Sequence, residues 1–206
     1  HERLVGSEMC IRDSYQTLRA PVEAVLGRDG VGLADCAIAE SKFEKGENIT
    51  GRVLTIIPRV SEIRQRGTPD MEFAINGLLT RSLLAAGQSE DAYRTIESLR
   101  EKFAEEGRER FLPNMDAMLV RISLHTGDLD YADTWYREKA PRDPMRVNVM
   151  KRYQYLTQAM VELADGKPGA SMLTLSPLED YVRSCGRHID GIHLNILAAM
   201  LRPCFG

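Results

Sequence analysis

The segment RHIDGIH brings His188, Asp190 and His193 close together, and imidazole and carboxylate groups so placed invite a metal-site reading. On a helix, however, His188 and His193 lie five residues apart and about 140° around the axis, which does not aim them at one ion. The four cysteines, Cys10, Cys36, Cys185 and Cys204, form neither CxxC pairs nor a dense disulfide framework, a usage that suits structural thiols in a reducing cytosol. Single serines, histidines and aspartates are scattered with no spacing that would hold a nucleophile against a base, so no catalytic constellation is expected. No GxxxxGK[ST] phosphate loop occurs, so ATP binding by these residues has no support, and no cofactor is expected.

Chemistry of another kind comes from residues in register. Glycines that end apolar helical runs occur in KFEKGENITG, LLAAGQSEDA, SLHTGDLDYA and ELADGKPGAS, at Gly46, Gly87, Gly127 and Gly166, with spacings of 41, 40 and 39. Five residues after each stands a small residue: Gly51, Ala92, Ala132 or Ser171. Six before stand Glu40, Arg81, Arg121 and Met160, and thirteen before stand Leu33, Ala74, Asn114 and Tyr153. Two arginines in successive repeats suit an anionic ligand or a partner's carboxylates, which guanidinium grips with two hydrogen bonds. Solvated helix surface is the competing reading of the same residues. Trp135, with Tyr131 and Tyr136, reads as core aromatic area, and REKFAEEGRER (Arg100 to Arg110) as a solvated helix end with i to i+4 ion pairs.

The elements that position these residues follow from the same columns. Three residues before the glycines stand Phe43, Leu84, Leu124 and Leu163, and seven before stand Ala39, Thr80, Val120 and Ala159. Offsets of three and seven mark one face of a helix that ends at the glycine. The glycine supplies a left-handed cap, and the small residue admits the next helix, giving a tight hairpin. A second glycine closes the second helix at Gly67, Gly107 and Gly186. The third repeat instead stops near Ala140 to Pro144, where Pro141 and Pro144 block continuation. The pattern predicts helices near 15–27, 33–46, 49–66, 70–86, 89–106, 111–126, 129–140, 145–165, 168–185 and from 188. Strand signals are nearly absent. The expected fold is all-α: a right-handed superhelical array of antiparallel helical hairpins with about 40 residues per repeat.

Composition agrees. At 206 residues, 43% hydrophobic and 28% charged, the chain has enough apolar sequence for a core. A net charge of −3 argues against direct nucleic-acid binding, and no apolar run is long enough to span a bilayer. HERLVGSEMCIRDS (His1 to Ser14) has neither the basic start nor the apolar centre of an export signal and resembles translated adapter sequence. Residues 1–14 are therefore expected to be a non-native or disordered leader, and 15–206 a single helical-repeat domain. Gly206 falls 40 residues after Gly166, at the next place in the glycine column, so the chain is expected to be a fragment of something longer.

The glycine-to-alanine pairs, Gly87 to Ala92 and Gly127 to Ala132 above all, resemble the tetratricopeptide repeat, although that repeat has about 34 residues. Three segments, GVGLADCAIAESKFEKGENITGRVL (Gly30 to Leu54), LLTRSLLAAGQSEDAYRTIESLREKFAEEG (Leu78 to Gly107) and LEDYVRSCGRHIDGIHLNILAAML (Leu178 to Leu201), carry a wider resemblance. With the repeats between them, they look like the central sensor region of the MalT-type, LuxR-family, ATP-dependent transcriptional regulators of bacteria. That resemblance implies a cytoplasmic, non-enzymatic array that binds a small-molecule inducer or a regulatory protein. ATP and DNA would be handled by flanking modules that these residues lack, with no membrane partner. The tetratricopeptide-like resemblance implies that Glu40, Arg81, Asn114, Arg121 and Tyr153 line an inner groove. A free-standing adaptor for partner peptides is the alternative.

Overall fold

The computed structural model describes residues 17–46, 49–142, 151–184 and 188–201, with side chains undescribed at 49–55 and 188–189. The predicted leader, Cys10, Pro144, Cys185, Gly186, Cys204 and Gly206 lie outside those residues, as does the side chain of His188. Ten α-helices occur among the described residues, and no strand does. They are α1 (17–26), α2 (Leu33–Glu44), α3 (Ile49–Arg66), α4 (Pro69–Ala85), α5 (Ser89–Glu105), α6 (Leu112–Thr126), α7 (Leu129–Glu138), α8 (Arg152–Ala164), α9 (Pro168–Ser184) and α10 (His188–Leu201). Short 3-10 turns precede α2 at Gly27–Asp29 and α6 at Glu109–Phe111.

Local chemistry explains the hairpins. Gly46, Gly87, Gly127 and Gly166 all have φ between +66° and +82°, the left-handed region that a side chain resists. Behind three of them, one main-chain bond closes the turn across five residues: Gln88 N–H to Leu83 O at 2.9 Å, Asp128 N–H to Ser123 O at 2.9 Å, and Lys167 N–H to Glu162 O at 2.8 Å. These closures satisfy carbonyls that the helix end would otherwise orphan. Asp128 then caps α7 by accepting from Tyr131 N–H at 3.2 Å. The second glycine column is mixed in cause. Gly107 has φ +68°, whereas Gly67 is required by space, because a Cβ there would meet Ile63 O at 2.8 Å.

The small-residue column is buried as the pattern predicts: Ala92, Ala132 and Ser171 are at most 1% exposed. Ser171 Oγ donates to Ala159 O at 2.9 Å, so the second helix of that hairpin lies directly on the backbone of the first. The predicted first-helix stripe holds at offset seven and shifts by one residue at offset three. Ala39, Thr80, Val120 and Ala159 are buried, but Phe43, Leu84, Leu124 and Leu163 are half-buried. The neighbouring column, four before the glycine, goes inside instead at Leu83, Ser123 and Glu162. A stripe repeating every 3.6 residues reaches offset four as readily as three, and contact with helices on both sides draws it there.

The chain divides into two compact units, His1–Lys102 and Phe103–Gly206. In the first, α2 packs on α3 and on α4, and α3 packs on α4, around Ile63 and Ile75. Glu72, 3% exposed, accepts from Arg64 Nε at 3.1 Å and from Lys102 Nζ at 2.8 Å, which ties α3, α4 and α5 together. Lys102, in a stretch expected to be a solvated helix end with i to i+4 pairs, thus also serves a buried carboxylate. In the second unit, α6 packs on α7 and α8, and α8 packs on α9 and α10. Trp135 lies in the α6–α7 core with Ala117, Val120 and Ala132; Tyr155, Leu178, Leu194 and Leu201 fill the α8–α10 core.

A Cβ at Gly127 would meet no atom within 4 Å, so Gly127→Ala tests backbone strain alone. It should destabilise the protein by about 1–2 kcal/mol. Gly169, within α9 and equally unobstructed, lacks the positive φ; Gly169→Ala should stabilise by about 0.4–1 kcal/mol. Denaturant midpoints of the two variants should move in opposite directions.

Candidate functional site

The five residues expected to line a groove fall on seams between first helices. In the first unit, Arg81 on α4 reaches one repeat back to α2. Its Nη1 donates to Glu40 Oε1 at 2.8 Å, its Nη2 donates to Glu44 Oε1 at 2.6 Å, and its guanidinium lies 4.1 Å from the Phe43 ring centre. Burial disfavours the charge, but the bonds to Glu40 and Glu44 outweigh it and raise the pKa of Arg81. Two carboxylates thus balance the cation that the sequence offered to an anionic ligand. Glu40 and Arg81 hold the same column position in successive repeats, and the packing of α2 on α4 makes them a pair.

The second unit repeats the arrangement with different chemistry. Arg121 on α6 donates from Nε to Thr157 Oγ1 on α8 at 2.8 Å, and lies 3.8 Å from the Tyr153 ring centre. Asn114 Oδ1 accepts from Gln154 Nε2 at 3.0 Å, again one repeat away. Arg121, Asn114 and Tyr153 therefore share the α6–α8 seam, whereas Arg81 and Glu40 share the α2–α4 seam. Each arginine is engaged within its own unit.

A pocket of about 220 Å³ opens elsewhere in the second unit, between α7 and the end of α8. Leu124, Leu129, Ala132, Val161 and Ala164 supply apolar wall; Asp130, Asp133, Tyr136, Glu162, Asp165 and Lys167 supply polar groups. Asp165 holds Lys167 at 2.5 Å, and Asp133 pairs with Arg137 at 3.0 Å. Glu162 is 2% exposed. Its Oε1 accepts from Tyr136 Oη at 3.0 Å and from Gln158 Nε2 at 2.9 Å, while its Oε2 has no hydrogen-bond partner. Burial, and then the bond to Glu162, push the Tyr136 phenol up, which keeps it a donor at neutral pH.

This pocket is not marked by the repeat columns of the sequence that suggest a groove. HTGDLDYADTW (His125 to Trp135) carries the hairpin turn expected at Gly127, yet its Leu129, Asp130, Ala132 and Asp133 also line the pocket. Tyr136 packs beside the aromatic core, as expected, and also turns its hydroxyl to Glu162. The available signal was the column four before the glycine, where Leu83 and Ser123 precede a glutamate. A carboxylate at a buried repeat position calls for a partner.

Among the described residues, no group of three His, Cys, Asp or Glu side chains could hold a metal. No described helix is long and apolar enough to cross a membrane. Cys36 is a buried free thiol, and burial first, then Asp35 and Glu40, push its pKa from 9.0 up to about 12 despite Arg59. A raised pKa favours the protonated fold: the stabilisation is fully present below pH 9.0 and is lost as pH rises toward about 12. Between pH 9 and 10.5, wild-type stability should fall more steeply than that of Cys36→Ala, by up to about 1.4 kcal/mol per pH unit. Urea unfolding across that range checks it.

Comparison of the chain with protein-family models, with curated proteins and with solved structures finds no match.

Proposed function

We propose that the chain is a non-enzymatic recognition module, a superhelical tetratricopeptide-like array that senses an inducer or a regulatory protein in the cytoplasm. One observation carries this reading: in both units the first helices of successive hairpins pack against each other, with polar links about one repeat apart, as in Glu40 to Arg81 and Asn114 to Gln154. Helices stacked at a regular interval present side chains as a surface, and such surfaces serve binding. The resemblance of residues 30–201 to the sensor region of LuxR-type, ATP-dependent regulators supports the finer assignment. In that setting occupancy of the array is relayed to a nucleotide-binding module and to a helix-turn-helix that binds promoters.

The seams suggest how occupancy would be read. Arg81 with Glu40, and Arg121 with Tyr153, join neighbouring hairpins through half-buried polar contacts. A ligand or partner that competes for one of these groups alters how two hairpins meet, and a small change per repeat accumulates along an array.

The intact reading frame tests the assignment. It should encode a phosphate-binding loop before this region and a helix-turn-helix after it, and sequencing the flanking gene checks both. In the intact regulator, Arg81→Ala combined with Arg121→Ala should weaken the response of a promoter reporter to its effector, with far-ultraviolet circular dichroism unchanged. A reading frame with neither module, or an unaltered response, would remove the regulator assignment.

A further inference from the structure

Four carboxylates are buried among the described residues: Glu72, Asp116, Glu162 and Asp190. Three face a cation. Glu72 has Arg64 and Lys102, Asp116 has Lys139 at 3.0 Å, and Asp190 has Arg152. Glu162 is the most buried of the four, at 2% exposed, and no described lysine or arginine forms an ion pair with it. Leaving a carboxylate in that state is costly, and proteins ordinarily relieve it with a counter-charge.

Its surroundings say what would relieve it. Tyr136 and Gln158 both donate to Oε1, so Glu162 already acts as an acceptor, and Oε2 is left with acceptor capacity. Gln158 Oε1, behind Glu162 and outside the pocket lining, is a second buried acceptor without a donor. The side-chain amide cannot be turned to cure this, because its oxygen would then face the Glu162 carboxylate. Both unmet needs are therefore for donors. Glu162 also forms part of the wall of the α7–α8 pocket, whose rim carries Asp130 and Asp133 and whose lining includes Leu124, Leu129 and Val161.

We propose that this pocket binds a small organic cation, with a primary ammonium or guanidinium group meeting Glu162 and a short apolar stem lying against the leucines and valine. About 220 Å³ is room for roughly seven water molecules at ~30 Å³ each, which sets the size of the occupant. Acidic side chains at the rim attract a cation and repel the matching carboxylate. Lys167, the cation in the pocket lining, does not fill the role: it pairs with Asp165, lies 5.8 Å from the Tyr136 ring centre and is about half exposed. This inference rests on reading the chain as a sensor, and it supplies that sensor with a ligand class.

The test uses calorimetric titration of the whole 206-residue chain with a series of n-alkylammonium ions and phenethylammonium, set against 2-phenylethanol and 3-phenylpropanoate. At least one amine should bind, at least tenfold more tightly than the alcohol, with no binding of the carboxylate. Glu162→Gln, which keeps the shape and removes the charge, should weaken the amine at least tenfold. Should that variant fail to fold, Asp130→Asn with Asp133→Asn, both at exposed sites, should weaken it several-fold. Equal binding of amine and alcohol, full affinity in Glu162→Gln, or no binding by any amine at millimolar concentration would overturn the proposal. Loss of the proposal on these grounds, with the effector response of the intact regulator preserved, would leave the sensor assignment standing.

Discussion

Each of three hairpins depends on one main-chain arrangement: a helix that ends on a left-handed glycine, with the following amide reaching back five residues to a carbonyl of the last turn. At Gly87, Gly127 and Gly166 this bond recurs at 2.8–2.9 Å. It reverses the chain within two or three residues and so dictates that the next helix starts against the last one. The small residue five positions on is the counterpart of that geometry. Ala92, Ala132 and Ser171 are buried because helices that diverge from so tight a turn begin almost in contact. With turn and contact fixed, the remaining positions are free to vary, which is how a repeat persists while its surface changes.

Much of this is legible in the sequence, for a physical reason. A left-handed cap and a small contact residue are demands of backbone geometry, and they restrict residue type at fixed offsets whatever the partner helix is. The helix limits follow from the same signals: α4 begins at Pro69 behind Thr68, and α7 ends at Glu138, three residues before Pro141. The burial stripe was less legible. Offsets three and four are neighbours on one helix face, and which of them goes inside is decided by the helices on either side rather than by local pattern. Two sides of contact put Leu83 and Ser123 inside and left Leu84 and Leu124 half-buried.

The polar residues show the limit more sharply. Arg81 and Arg121 occupy equivalent places in successive repeats and each lies over an aromatic ring, yet one meets two carboxylates and the other a threonine. A single column says where a side chain stands and not what stands opposite. The pair of Glu40 with Arg81 can be read once charges are compared down the column, because the partner lies one repeat away. Glu162 cannot be read that way. Its neighbours come from α7, from its own helix and from the turn after it, so the carboxylate acquires its isolation from tertiary packing. HTGDLDYADTW consequently has two roles, as the closure of a hairpin and as one wall of a pocket.

The hairpins stand most directly on those turn closures, and native-state hydrogen exchange measures them amide by amide. The N–H groups of Gln88, Asp128 and Lys167 sit just beyond helix ends, where an ordinary frayed terminus exchanges almost freely. If the hairpins are built as described, all three should exchange at least about a hundredfold more slowly than the same amides in an unfolded chain. Exchange at the unfolded rate at these three positions, with the helix interiors still protected, would contradict those closures.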